Sequence, residues 1–434
     1  MRGPLWETLP DGWRIGQVKH TATVTLGKML QSQDSGGDVD APYMRAANVQ
    51  PDGVLALDDV NEMWFGKVEL EQLSIQAGDV VVVEGGQGGF GRAAYVDEDL
   101  LGWGFQNSIN RLRPTGNFDG RFIAFYLIAL RASGFIRAYA NVVSMPHLTA
   151  EKLARIPIPL PPLQEQRAIA NYLECETARI DTLIEEQQRL IEMLSERRQA
   201  VVEYCVGHGL DATVPMKPSG LFWTDEVPEN WAVANIRKVA TMKTGHTPSR
   251  SNPEYWVDCT IPWFTLADVW QLRDGRRTYL GETASLISEV GLANSAAELL
   301  PAGTVVLSRT ASVGFSGIMP MAMATSQDFW NWLPGDRLTA NYLMWTFRAM
   351  RSEIQSLMIG STHKTIYQPT AAAFRVPVPP VDEQHRIVEY LNDQAHKIDA
   401  LIAETGRFIE LSKERRSALI TAAVTGQIDV REVA

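Results

Sequence analysis

The sequence predicts an α+β protein. It is built as two tandem mixed α/β globular units separated by two long helices that form an antiparallel coiled coil, an internal pseudo-twofold repeat. Three observations predict it. The segment "IPLPPLQEQRAIANYLECETARIDTLIEE" from Ile158 aligns without a gap with "VPVPPVDEQHRIVEYLNDQAHKIDALIAE" from Val376, and residues 158–211 share 22 identities in 54 positions with residues 376–429. The repeat continues upstream: "LPDGWRIGQV" from Leu9 faces "VPENWAVANI" from Val227 in the same register, pairing Trp13 with Trp231, and "PYMRAANV" from Pro42 faces "PWFTLADV" from Pro262 after a shift of two residues. At 434 residues the chain also exceeds the size at which one core stops growing.

The first globular unit is expected over 1–157. Its short apolar run "DVVVVE" reads as a strand, and "RFIAFYLIALRASGFIRAYA" as amphipathic helix. Prolines before residue 163 stop the preceding strand and give the helix a rigid start. The first helical region, 158–211, then shows an apolar stripe of three- and four-residue steps through Ile169, Leu173, Ile180, Leu183, Ile184, Leu190 and Ile191. "VPMKPSGLFW" at 214–223 links the halves. The second globular unit, 212–375, repeats the plan with "TVVLSR" and "TANYLMWTFRAMRSEIQSLM". The second helical region, 376–434, carries Ile387, Leu391, Ile398, Leu401, Ile402, Phe408 and Ile409. About 40 helical residues span about 60 Å. Such stripes pack on each other, dock on partner proteins, or do both. Gln187 and Thr405 occupy matching polar positions, either setting register or marking a solvated gap.

Composition narrows the function. A hydrophobic content of 45% and a charged content of 21% describe a globular chain, not a disordered one. The net charge of −11 disfavours a uniformly basic nucleic-acid binder. The acid excess is concentrated in the helical regions, however. Residues 212–375 hold 14 basic and 13 acidic side chains, which leaves room for a basic face. Three widely spaced cysteines form no metal motif and fit a reducing cytoplasm. No segment reads as a signal peptide or a membrane span.

Searches for catalytic chemistry return little. Gly86, Gly88 and Gly91 spell G-x-G-x-x-G after a strand, which alone would suggest a nucleotide-dependent oxidoreductase. A dinucleotide turn needs a helix next, but "RAAYVDEDLLGWG" alternates like a strand. The duplicate, "GTVVLSRTASVGFSGIM", lacks the pattern; it matches Gly314-Phe315 to Gly89-Phe90. These glycines are expected to bend a hairpin loop or let another backbone approach closely. "NPEYW" at 252–256 departs from the NPPY-type tetrapeptide of amino-methyltransferases, and no HExxH, Walker A or G-x-S-x-G sequence occurs. No metal site is expected.

The proline-led helical motif in duplicate, with "TGHTPSRSNPEYW", "IPWFTLADV" and "GSTHKTIY" in the second unit, resembles the specificity subunit of type I restriction-modification enzymes. The resemblance covers nearly the whole chain. It implies two target-recognition domains, each reading half of a bipartite double-stranded DNA site, with helices that set the gap between the halves. It implies two methyltransferase subunits that use S-adenosylmethionine, and it leaves room for restriction subunits that use ATP and Mg. It implies no catalytic centre or cofactor in this chain. The first unit departs from the family pattern: "TLGKMLQSQDSGG" and "VSMPHLT" stand where the second has "KTGHTPSRSNP" and "STHKTIY". Unequal half-sites are therefore expected.

Side chains suited to phosphates and base edges are the candidate DNA contacts. In the first unit they are Lys28, Arg45, Gln87, Arg92, Gln106, Asn107 and His147. In the second they are Lys243, His246, Ser249, Arg250, Arg276, Arg277, Arg309, Thr310, Gln327, His363 and Lys364, with Arg309 foremost. The rival reading is a two-armed protein-binding scaffold.

Overall fold

The computed structural model describes residues 3–86, 89–140, 147–360 and 364–430; the candidates Gln87, Gly88 and His363 lie outside them. The chain forms two compact units, Met1–Gln187 with Arg407–Ala434, and Gln188–Gly406.

The first unit contains a four-stranded sheet in the order Ala22–Leu26, Ile109–Pro114, Val80–Val83, Ala93–Tyr95, all neighbours antiparallel. A three-stranded sheet runs Asn61–Phe65, Val39–Met44, Gly104–Phe105, and a ribbon pairs Arg14–Gln17 with Pro157–Leu160. The second unit repeats this plan. Its sheets run Ala240–Thr244, Phe329–Pro334, Val305–Ser308, Ser316–Ile318, and Ser285–Ile287, Ile261–Phe264, Ala324–Thr325, with a ribbon of Ala232–Asn235 and Arg375–Val378.

The run Val80–Val83 shows why an unbroken apolar tetrad serves here. Strand residues alternate between faces. Val80 and Val82 enter the core beneath the helix Gly120–Ala132, while Val81 and Val83 enter a second core with Met44, Phe65 and Phe105. Val305 and Leu307 divide from Val306 in the same way. Each amphipathic run seen in the sequence resolves into two helices, Gly120–Ala132 with Phe135–Tyr139, and Ala340–Ala349 with Arg351–Ser356. The first pair breaks at Gly134, whose φ is +79°. The link is not plain coil, since Met216–Pro218 pairs with Glu226–Pro228 as a hairpin.

The long helices span Leu163–His208 and Val381–Val424. In the first unit Ile169 and Leu173 share a core with Ile420, Ala423 and Val424; in the second, Val202, Cys205 and Val206 share one with Ile387, Val388, Leu391 and Ala395. The helices are therefore antiparallel in each unit. Ile180, Ile398 and Ile409 are buried, while Leu183, Ile184, Leu190, Ile191 and Ile402 are half-buried. Two of the expected stripe residues do not belong to the buried face: Leu401 is 50% and Phe408 42% exposed. The buried line instead follows 398, 402, 405, 409, 412 and 416 at helical spacing, and 401 and 408 each fall one residue short of it. Thr405 is buried on that line and Gln187 is half-buried, so neither is an open solvated gap.

Gln166 and Gln384, matched in the sequence, are both buried. Gln166 accepts from the Asp119 amide at 3.0 Å and donates to the Pro161 carbonyl at 2.8 Å. Gln384 accepts from the Thr339 amide at 2.8 Å and donates to the Arg337 and Pro379 carbonyls. Each ties the proline-led start of a long helix to the N-terminus of its unit's own helix. No helix among the described residues is long and apolar enough to cross a membrane.

Candidate nucleic-acid interface

Three loop segments meet at one end of each three-stranded sheet, in the same arrangement in both units. The first segment crosses the last strand through a glycine. A Cβ on Gly27 would lie 2.3 Å from the Gln106 carbonyl oxygen, and one on Gly245 would lie 2.1 Å from that of Thr325, so both positions demand glycine. Beyond them the Lys28 amide donates to Phe105 and the His246 amide to Thr325, each at 3.0 Å. Lys28 and His246 thus occupy one structural position, followed by unrelated loops.

The second segment is the hairpin loop. Strand pairing puts Val82 opposite Ala93 and Leu307 opposite Ser316. The Gly91 amide donates to Val83 and the Gly314 amide to Ser308, each at 3.0 Å. Gly314 is therefore the counterpart of Gly91, and Phe315 of Arg92. The expected match of Gly314-Phe315 to Gly89-Phe90 is off by two residues, because the first loop is longer. A strand, not a helix, follows Gly91, so the cofactor reading has no structural basis. Gly91 and Gly314 have φ of +72° and +89°. A Cβ on Gly91 would meet Ile136 at 2.8 Å. That glycine answers to backbone geometry and close packing on the short helix.

The third segment closes over the hairpin. The Glu84 amide donates to Ser108 and the Leu148 amide to Glu84; the Arg309 amide donates to Asp328 and the Ile366 amide to Arg309. Glu84 is thus the counterpart of Arg309. Its carboxylate lies 2.9 Å from Nδ1 of His147. The Arg309 guanidinium lies 4.2 Å from the Trp330 ring centroid, and its buried Nε has no partner among the described residues. Burial pulls this guanidinium below the ordinary arginine range and Asp328 opposes that; arginine stays a cation regardless. Thr310 Oγ1 lies 2.9 Å from Thr365 Oγ1, beside exposed Lys364.

His246, Ser249, Arg250 and Gln327 gather around the first of these segments. Thr247 Oγ1 donates to Gln327 at 2.7 Å, the Trp256 indole donates to the Ser249 carbonyl at 3.2 Å, and Arg250 lies 5.8 Å from the Trp256 ring. In the first unit Lys28, Gln106 and Asn107 come together, the Asn107 amide donating to the Lys28 carbonyl at 2.8 Å. Other candidates are engaged elsewhere. The Lys28 ammonium pairs with Glu69, Arg45 with Asp59 at 2.5 Å, and Lys243 with Glu298 at 2.7 Å. Arg92 turns toward the Val49 carbonyl at 3.4 Å. Arg276 approaches Asp399 of the second long helix at 3.7 Å, and Arg277 accepts at its carbonyl from buried Arg348. Arg276 thus stands against the helix, while the exposed Arg277 guanidinium lies 5.9 Å from the Trp270 ring centroid. Sequence reading missed Glu84, Asp328, Trp256 and Trp330, because their positions follow from strand register. Among the described residues no group of three or more His, Cys, Asp or Glu could hold a metal.

A family model described as the type I restriction modification DNA specificity domain matches twice, over residues 10–193 and 228–405. The MjaIX type I specificity subunit of Methanocaldococcus jannaschii is 28% identical over 38% of this chain, and the match spans only 38% of that relative. The MjaVIII subunit of the same organism is 23% identical over 71% of this chain and 70% of its own length. A solved structure from work on assembly and conformational transition of the type I R-M system superposes with a TM-score of 0.75 at 18% identity, covering 97% of this chain and 100% of the other. The HsdS subunit of Thermoanaerobacter tengcongensis gives 0.57 at 20% identity, covering 97% and 98%. These two likenesses concern the fold.

Proposed function

The chain belongs to the type I restriction modification DNA specificity family, and on that premise we propose that it is the sequence-reading subunit of such a complex. Segments 1–157 and 212–375 act as target-recognition domains, each for half of a bipartite double-stranded DNA site. Segments 158–211 and 376–434 act as the helical spacer on which two methyltransferase subunits dock, with restriction subunits as further partners in the cytoplasm. The chain contributes recognition. The methyl group comes from S-adenosylmethionine held by the modification subunits, and any ATP-driven step belongs to a restriction subunit.

The observation that supports this reading best is the loop platform built twice on one framework with different chemistry. Where one copy presents Arg309 on Trp330, the other presents Glu84 with His147. A shared scaffold with opposite charges at one position suits two readers of unlike sequence. Methylation sequencing of a host expressing the system is expected to show a split, non-palindromic motif; a palindromic motif refutes the unequal readers. With a net charge of −11, the isolated chain is expected to bind DNA weakly and the complex with modification subunits tightly. A mobility shift that is absent even with those subunits present would leave the protein-binding scaffold.

A further inference from the structure

Beside the loop of residues 245–252 lies a cavity of about 420 Å³ lined by Arg250, Trp256, Trp263, Ser285 and Leu286. Its volume is in the range of about 300–1,000 Å³ typical of small-molecule sites. Trp263 and Ser285 face each other across the paired strands Ile261–Phe264 and Ser285–Ile287, so one wall is rigid sheet. The two indoles meet edge to face with centroids 5.6 Å apart. Arg250, at the rim, lies over Trp256. Trp263 is only 2% exposed, yet its Nε1–H has no partner among the described residues. A buried donor without an acceptor costs about 1–3 kcal/mol, so a guest that brought an acceptor to this indole would stabilise the site.

These features select the guest. Indole faces favour a flat π system, and the guanidinium at the rim disfavours a cation while attracting a phosphodiester. Ring nitrogens and carbonyl oxygens supply acceptors for Trp263 Nε1 and Ser285. We propose that this cavity receives a single unstacked nucleobase of the bound DNA. Trp256 supplies the stacking face, Trp263 the donor and Arg250 the contact to the adjoining phosphate. The assignment rests on the DNA-reading function proposed above. It adds a sequence-determining contact that the loops alone do not provide, since a base drawn out of the helix exposes its pairing edge.

The test uses the complex assembled with its modification subunits and duplexes carrying the motif found by methylation sequencing. Single mismatches are made at each position of the half-site by changing the strand opposite each base in turn. Where a base is drawn out, prior unpairing removes part of the cost. Apart from the methylated base, which the modification subunits themselves draw out, one further position is therefore expected at which the mismatch tightens binding about ten-fold. Trp256→Ala is expected to abolish that gain, Trp256→Phe to retain most of it, and Trp263→Phe to reduce it while preserving the ring in the core. The proposal is overturned if no mismatch tightens binding, or if Trp256→Ala keeps the full gain. Either result, with tight binding of the matched duplex retained, leaves the DNA-reading function standing, whereas failure to bind the matched duplex at all removes that function. Equilibrium dialysis against the four deoxynucleoside monophosphates separates the other source of the same chemistry. Tight binding of a free nucleotide without any mismatch gain overturns the DNA-base assignment.

Discussion

Arg198→Ala is expected to cost more stability than its repeat-mate Arg416→Ala, although sequence alone makes the two equivalent. Arg416 holds Asp181 of the first long helix through Nε at 2.9 Å and Nη2 at 3.1 Å, donates to the Asp52 carbonyl at 3.2 Å and lies 3.5 Å from the exposed Asp52 carboxylate. Arg198 pairs with Asp399 of the second, donating through Nη2 at 3.3 Å while its Nε stands 3.1 Å from Oδ1 without a hydrogen bond, and donates to the Gly275 carbonyl at 2.8 Å. Each arginine thus joins the antiparallel helices to a turn of its own globular unit. The environments differ. The Asp181 side chain is 47% exposed and rehydrates when its partner goes, whereas that of Asp399 is 15% exposed. Truncating one member of a buried pair costs about 3–5 kcal/mol, and an exposed pair contributes about 0–1. For Arg416→Ala the expected loss is about 1–2 kcal/mol, mostly hydrogen bonds and packing. For Arg198→Ala it is about 3–4, moderated by Arg276, which still lies 3.7 Å from Asp399. Urea unfolding followed by tryptophan fluorescence, arranged as two double-mutant cycles with Asp→Ala partners, measures both couplings. A coupling for Arg416 with Asp181 equal to or above that for Arg198 with Asp399 refutes the reasoning.

Three further outcomes follow from the same geometry. Gln384→Leu leaves the half-buried Thr339 amide and two carbonyls without this partner and is expected to cost about 2–4 kcal/mol; Gln166→Leu, with fewer partners, costs less, as thermal unfolding will show. Arg309→Ala is expected to weaken site affinity and methylation at the half-site read by the second unit by about ten-fold or more, while Glu84→Ala alters preference at the other half only; unchanged methylation in both variants counts against the loop platform as the reader. Burial pushes the Cys205 thiol up to about 11, so at pH 8 it is protonated and unreactive. Iodoacetamide followed by mass spectrometry is expected to label exposed Cys175 far faster, with Cys205 reacting only after unfolding; equal rates in the native protein contradict this.

Much of the architecture is written locally and was readable. The unbroken tetrad Val80–Val83, the prolines before Leu163 and Val381, and the three- and four-residue apolar steps act within a few residues of chain. A duplication lets each half check the other, which is how the glycine fingerprint at 86–91 lost its cofactor meaning. The site was legible only in part. Residue type picked out Arg309, Arg250 and His246, and the loops bring them to one end of the second unit's sheets. It also picked out Arg276, which lies 3.7 Å from Asp399 of the second long helix, and Arg277, which lies over Trp270.

The sequence by itself determined the repeat, the elements and the kind of side chain each loop carries, because periodicity, proline and glycine act over one or two turns of backbone. Only the tertiary structure decided that Glu84 stands where Arg309 does, that Leu401 and Phe408 leave the buried face, and that Trp256 and Trp263 line one open cavity. It alone also decided that Asp181 meets Arg416 across 235 residues of chain and Arg198 meets Asp399 across 201. Such contacts depend on strand register and helix alignment. Those are set by the summed packing of many distant residues, a sum that no local pattern records.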